Sequence, residues 1–152
     1  MRQTMVKTVF GILPAFVNYS DKGMAEWQGG YAKGPYIQLR EKYRTDEGIL
    51  QHELTHVKQF YSTILIGLSI ALVCYLVGFE FIASLMISGS IGIHAFLYLF
   101  VQKYRLWCEV SAYRVQNKYY EDDRSIRFAK VILEKYSITG IDLDSIIQML
   151  RK

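Results

Sequence analysis

The chain has 152 residues, enough for one domain, and its 18 Lys and Arg against 14 Asp and Glu give a net charge of +4. That modest excess, with no nucleic-acid motif beside it, argues against a nucleic-acid partner and suits the surface of an anionic membrane leaflet. Two cysteines, Cys74 inside an apolar run and Cys108 in a helical stretch, do not suggest a disulfide.

Residues 9 to 17 form a short apolar run broken by Gly11 and Pro14. It is too short to span a bilayer and no small-residue cleavage site follows, so a signal peptide is not expected. Gln28-Gly29-Gly30-Tyr31-Ala32-Lys33-Gly34-Pro35 is turn-rich, and Tyr36-Ile37-Gln38-Leu39-Arg40 alternates as a β-strand does. Beyond it, Ile49, Leu50, Leu54, Val57, Phe60 and Tyr61 recur at helical spacing. The pattern predicts an amphipathic helix over 46 to 61, with Thr45 as N-cap and Asp46 and Glu47 in the first turn, where the helix dipole favours negative charge.

This helix carries His52-Glu53-Leu54-Thr55-His56, the pattern HExxH. Residues four apart on a helix stack one above the other, so His52 and His56 can aim two imidazole nitrogens at one metal ion. Glu53, on the same turn, is placed to take a proton from a water on that metal without itself being a ligand. The bland alternative is a solvent-facing turn that happens to carry these three residues.

A catalytic zinc site needs three protein ligands and an open position for water. His94, the remaining histidine, lies within an apolar run and reads as a packed or hydrogen-bonded core residue. Glu109, in Trp107-Cys108-Glu109-Val110-Ser111-Ala112-Tyr113-Arg114, is the better third ligand. That stretch reads as a helix over 103 to 120, and the small Ala112 lets it approach the motif helix closely. Cys108, one residue before Glu109, points away from the metal on such a helix.

Between Lys58 and Lys103 the only charged residue is Glu80. Residues 60 to 79 and 81 to 101 are two apolar segments, each near the ~20 residues a bilayer needs, with a turn expected at Val77-Gly78-Phe79-Glu80. Ser84, Ser88, Gly89, Ser90 and Gly92 offer small surfaces for packing one span on the other. Two successive apolar helices leave too little polar chain in a soluble protein of this size to cover them. Lys58 before the first span, and Lys103 and Arg105 after the second, place both ends on the cytoplasmic face. After Glu109 the chain turns polar. Ile126, Phe128, Ala129, Ile132, Leu133 and Tyr136 then predict a helix ended by Gly140, and Asp142 caps a last helix through Leu150.

HExxH followed by Glu109-Val110-Ser111-Ala112, an ExxA, resembles the gluzincin metallopeptidases. The resemblance covers about 20 of the 152 residues. It implies His52, His56 and Glu109 as zinc ligands and Glu53 as general base. Many gluzincins have an Asp directly after that Ala, which orients a ligand histidine; here Tyr113 stands in its place. An apolar hairpin between the two halves of the motif resembles the HtpX-type and CAAX-prenyl-protease-type membrane peptidases, which are larger and have further spans before the motif. In zincin folds a strand ahead of the motif helix holds extended substrate by main-chain pairing, which makes residues 34 to 40, with Tyr36, Ile37, Gln38 and Leu39, the candidate substrate edge.

The expected fold is therefore mainly α with a small N-terminal β element, a zincin-like α+β domain over 1 to 152. A membrane hairpin, about 60 to 101, is inserted between a motif helix at 46 to 59 and the ligand helix. The expected activity is zinc-dependent hydrolysis of peptide or protein substrates at a membrane. Tyr113, Tyr119 and Tyr120 are candidates to stabilise the oxyanion or support a ligand, by sequence proximity to Glu109. Two alternatives keep the pattern: a non-catalytic membrane protein with a structural zinc site or a peptidase-derived binding module, which drops the enzyme, and a soluble peptidase whose apolar hairpin forms a dimer interface.

Overall fold

Four short strands open the chain in the computed structural model, which describes residues 4–152. β1 (Met5–Val9) and β2 (Leu13–Tyr19) form an antiparallel hairpin. At its turn Phe10 and Gly11 both have positive φ (52° and 77°), the conformation that matches strand twist in tight hairpins. The apolar run at 9 to 17 is thus a hairpin turn and a strand. β3 (Gly30–Lys33) and β4 (Tyr36–Leu39) form a second hairpin, and β4 pairs in parallel with β2, giving the order β1-β2-β4-β3.

This order corrects two expectations. The segment read as turn-rich holds β3, because Tyr31 and Ala32 pair across to Gln38 and Ile37. Tyr36, Ile37, Gln38 and Leu39 form an interior strand, bonded to β2 on one side and β3 on the other. β4 therefore has no free edge on which a substrate strand could pair.

After a short 3₁₀ turn at Glu41–Tyr43, α1 (Glu47–Leu76) begins. Its cap is Asp46 rather than Thr45, since the Asp46 carboxylate accepts from the Ile49 amide at 3.0 Å. Leu50, Leu54 and Val57 form one buried stripe against Val17, Ile37 and Leu39 of the sheet. Full burial of each such side chain contributes about 1.5–3 kcal/mol, which fixes how α1 is rotated on the sheet. α1 does not stop at 61. No proline interrupts it, so the motif and the first apolar segment form one continuous rod.

The chain reverses at 77 to 79, where Gly78 adopts φ 87°, and α2 (Glu80–Phe100) returns alongside α1. Both helices are long and apolar enough to cross a membrane. Their large side chains point outward: Leu72 is 59% exposed and Phe81 76%. They meet through small residues, with Gly67 and Ala71 of α1 and Ala83 and Ser90 of α2 buried between them. Of the small residues expected at this contact only Ser90 is there. Ser84, Ser88, Gly89 and Gly92 lie on the exposed side of α2, because Ala83 and Ser90, seven residues apart, define the inward face.

α3 (Gln102–Asn117) follows at a break where Val101 is extended. With α4 (Ser125–Lys135) and α5 (Leu143–Arg151) it builds a second core around Val110, Phe128, Ala129, Ile132 and Ile146. α4 ends at Lys135, short of Gly140, and the positive φ of Ser137 and Gly140 turns the chain toward α5. Asp142 caps α5 as expected, accepting from the Ser145 amide at 2.8 Å. The chain is thus mostly helical with a small N-terminal sheet.

Candidate metal centre

The stripe of α1 that faces the sheet leaves His52, His56 and Gln59 facing α3. Glu109 on α3 is completely buried and meets them. Ligand atoms of His52, His56 and Glu109 all lie within 4.8 Å of one another. The two Nε2 atoms are 3.2 Å apart, and Glu109 oxygens lie 3.8 Å from His52 Nε2 and 3.6 Å from His56 Nε2. Ligands at zinc–nitrogen distances of ~2.0–2.1 Å in a tetrahedral site sit about 3.3 Å from each other, so the spacing suits one small cation.

Protonation geometry points the same way. Gln59 Nε2 donates to the Cys108 carbonyl at 3.1 Å, which fixes the amide's orientation and turns its oxygen to His56 Nδ1, 2.9 Å away. An amide oxygen only accepts, so His56 Nδ1 carries the proton and Nε2 presents a bare lone pair to the cluster. Glu109 Oε1 accepts from the Tyr98 hydroxyl at 2.5 Å, while Oε2 is buried with no hydrogen-bond partner among the described residues. Lone pairs from a histidine and a carboxylate converge on one point, an arrangement that a bound cation satisfies.

Glu53 is buried beside this cluster, and its Oε2 likewise has no partner among the described residues. Burial, and secondarily the nearby Glu109, raises its carboxyl well above the usual range. Burial raises Glu109 too, and burial together with the neighbouring His56 holds His52 well below the usual histidine value. These directions describe the side chains without an ion; a bound cation opposes the two carboxyl shifts by favouring the carboxylates, and it reinforces the neutral imidazole of His52.

Two cavities meet at this point. One, of about 510 Å³, lies between β3 and the C-terminal half of α2 and reaches His52, Glu53, His56 and Glu109. The other, of about 180 Å³, lies on the α4 side and is bounded by Asp46, Gln116, Tyr120 and Arg127. Gln28, Gly30, His52, Glu53 and Tyr136 line both, so a groove passes the cluster on either side. β3 forms its wall with one edge unpaired. Gly30 is required there: a Cβ would meet Leu39 at 2.5 Å and Glu53 Oε1 at 3.0 Å.

His52, Glu53, His56 and Glu109 are brought together as their spacing suggests. His94 lines the larger cavity, but its Nδ1 bonds the Tyr104 hydroxyl at 2.8 Å, and it is not part of the metal-binding group. Tyr113 does abut His52, with ring centroids 4.3 Å apart in an edge-on contact. It positions the imidazole by the packing of its ring. Tyr120 is engaged elsewhere, donating to Asp46 at the α1 cap at 3.0 Å. Tyr119 is half-exposed and lines neither cavity.

Comparison with family models, curated proteins and solved structures gives no match. The chemistry must be argued from the side chains.

Four of these are functional candidates that sequence reasoning did not single out. Gln59 had a readable signal, since it follows His56 by three and shares its face. Gly30 was legible as a glycine but not as a neighbour of Glu53. Tyr98 and Tyr136, 11 residues before and 27 after Glu109 in the chain, had none, because only the helix packing brings them to the cluster.

Proposed function

We propose that this chain is a zinc-dependent endopeptidase that works at a membrane surface. The observation that carries the reading is the convergence of His52, His56 and Glu109 beside the unpartnered carboxylate of Glu53. His52, His56 and Glu109 would hold zinc, whose chemistry when bound is to acidify water and polarise a carbonyl. Glu53 takes up the proton released by water and passes it to the leaving amine, and its burial makes it a stronger base than an exposed glutamate. Tyr136 lines the groove on both sides of the cluster, and burial keeps its hydroxyl protonated as a donor for the developing oxyanion.

The free edge of β3 pairs with an extended substrate, and a groove that continues past the cluster suits cleavage within a chain. Zinc is favoured by the ligand set of two imidazoles and one carboxylate. A structural zinc is usually closed by four protein ligands; three meet here among the described residues, which favours a site with an open position. On this reading the paired helices, long and apolar enough to cross a bilayer, do so, and the positive charges Lys58, Lys103 and Arg105 at one end favour a cytoplasmic metal centre.

The test uses the whole chain in lipid nanodiscs, with metal analysis and hydrolysis of an unfolded protein such as casein. Wild type is expected to carry one zinc and to cut. Glu53→Ala is expected to keep the zinc and lose activity. Absence of zinc from the wild type, or an active Glu53→Ala variant, overturns the mechanism.

A further inference from the structure

The tip of the β1–β2 hairpin presents Phe10, 54% exposed, and Ile12, 82% exposed, with no core to cover them. Its position in the fold says what does. At one end of the sheet Arg44 lies over the Tyr19 ring, close to the start of α1. At the other end the Tyr61 hydroxyl donates to the Pro14 carbonyl at 2.9 Å, and the Gly34 turn abuts the Phe60 ring. β2 therefore runs antiparallel to α1. From Tyr19 back to Pro14 it descends alongside the helix and arrives where the apolar segment of α1 begins. The hairpin tip lies beyond Pro14, further in that same direction.

We propose that this tip is a second membrane contact, an interfacial anchor that seats Phe10 and Ile12 in the leaflet through which α1 and α2 pass. The inference rests on the membrane reading of those helices and extends it to the sheet. Three features of this end of the molecule agree. Phe10 and Ile12 continue the exposed apolar surface of the spans. Tyr61, whose hydroxyl bonds Pro14, lies beside this end, where aromatic rings favour the headgroup region. Lys7, Lys33 and Lys58 surround this end with positive charge, complementary to anionic lipid headgroups. The positive φ of Phe10 and Gly11 makes the turn tight, so the two apolar side chains project from a narrow, rigid tip.

With the sheet tied to the leaflet at one end and to α1 along its length, β3 is held in a fixed direction. It runs from Gly30 beside Glu53 to Lys33 and Gly34 at the membrane end.

The experiment places a nitroxide on Ile12→Cys in a Cys74→Ala background, Cys108 being buried, with the full chain in phosphatidylcholine–phosphatidylglycerol vesicles. Collisions with oxygen, which partitions into lipid, are compared with collisions with a water-soluble nickel chelate. Val6→Cys serves as the water-side control: it is equally apolar and 58% exposed, but sits three residues further up β1 than Val9, about 10 Å. Leu72→Cys on α1 is the lipid reference.

Position 12 is expected to favour oxygen, as position 72 does, while position 6 favours the chelate. If position 12 collides with the chelate as freely as position 6 while position 72 reads lipid, the anchor is wrong and the spans stand. If position 72 also reads water, the membrane reading itself fails. Shielding of position 12 from both reagents indicates a protein contact, such as a second copy, and likewise overturns the anchor.

Discussion

Gln59 Oε1 lies 2.9 Å from His56 Nδ1, and this contact fixes which nitrogen of His56 faces the cluster. The same amide reaches the backbone of Cys108, next to Glu109, so one buried side chain sets the tautomer of one ligand and ties down the helix that carries another.

Gln59→Leu removes both bonds and should weaken zinc binding about 10- to 100-fold, the usual cost of losing a partner of a metal-bound histidine. Chelator competition measures it. Gln59→Glu keeps an acceptor for His56 and should recover part of the loss.

Gly30→Ala introduces a methyl group that collides with Leu39 and crowds Glu53 Oε1. Overpacking of this kind costs about 1–3 kcal/mol, so a lower apparent Tm is expected. Turnover should fall as Glu53 is displaced, while metal content stays unchanged, because the atoms nearest the added methyl group belong to Leu39, Glu53 and Gln38. A loss of zinc alongside activity would show that the methyl group disturbs the whole site.

Gly67→Ile should separate the paired apolar helices, since a Cβ at 67 already meets Ser90 Cβ at 3.0 Å. A loss of about 1–3 kcal/mol is expected, read as a lower apparent Tm in detergent. Gly92→Ile, where nothing lies within 4 Å, should be close to silent.

Asp123 supplies a pH dependence outside the metal centre. Its carboxylate accepts from the Ser125 hydroxyl and amide, from Asn117 and from Arg151, and these bonds, the Ser125 hydroxyl foremost, hold it well below its ordinary value of 3.8. A group depressed in the folded state adds stability above its unfolded value and loses it as the pH falls below that value toward the folded one. Apparent Tm measured from about pH 6 down to about pH 3 should therefore decline less steeply on the acid side for Asp123→Asn than for the wild type.

His52, Glu53 and His56 were legible from the chain because their relation is local: four residues of helix settle it, and the apolar pattern around them supplies the helix. The two apolar segments and the glycine turn between them were legible for the same reason, since length and hydropathy are properties of consecutive residues. Glu109 was legible only as a candidate, on a helical stretch with a small Ala112 and an ExxA resemblance; the packing of α3 on α1 brings it to the histidines.

Strand order, the free edge and the tyrosines of the groove had no local signature. β4 looks like an edge strand until β2 and β3 are seen to pair with both its sides, and Tyr119, near Glu109 in the chain, is remote from it in space. Tyr98 and Tyr136 reach the site from helices whose contact surfaces are chosen by Ala83 and Ser90 in one case and by Phe128 and Ile132 in the other. Periodicity shows which residues of a helix share a face; only long-range packing decides which neighbour that face meets.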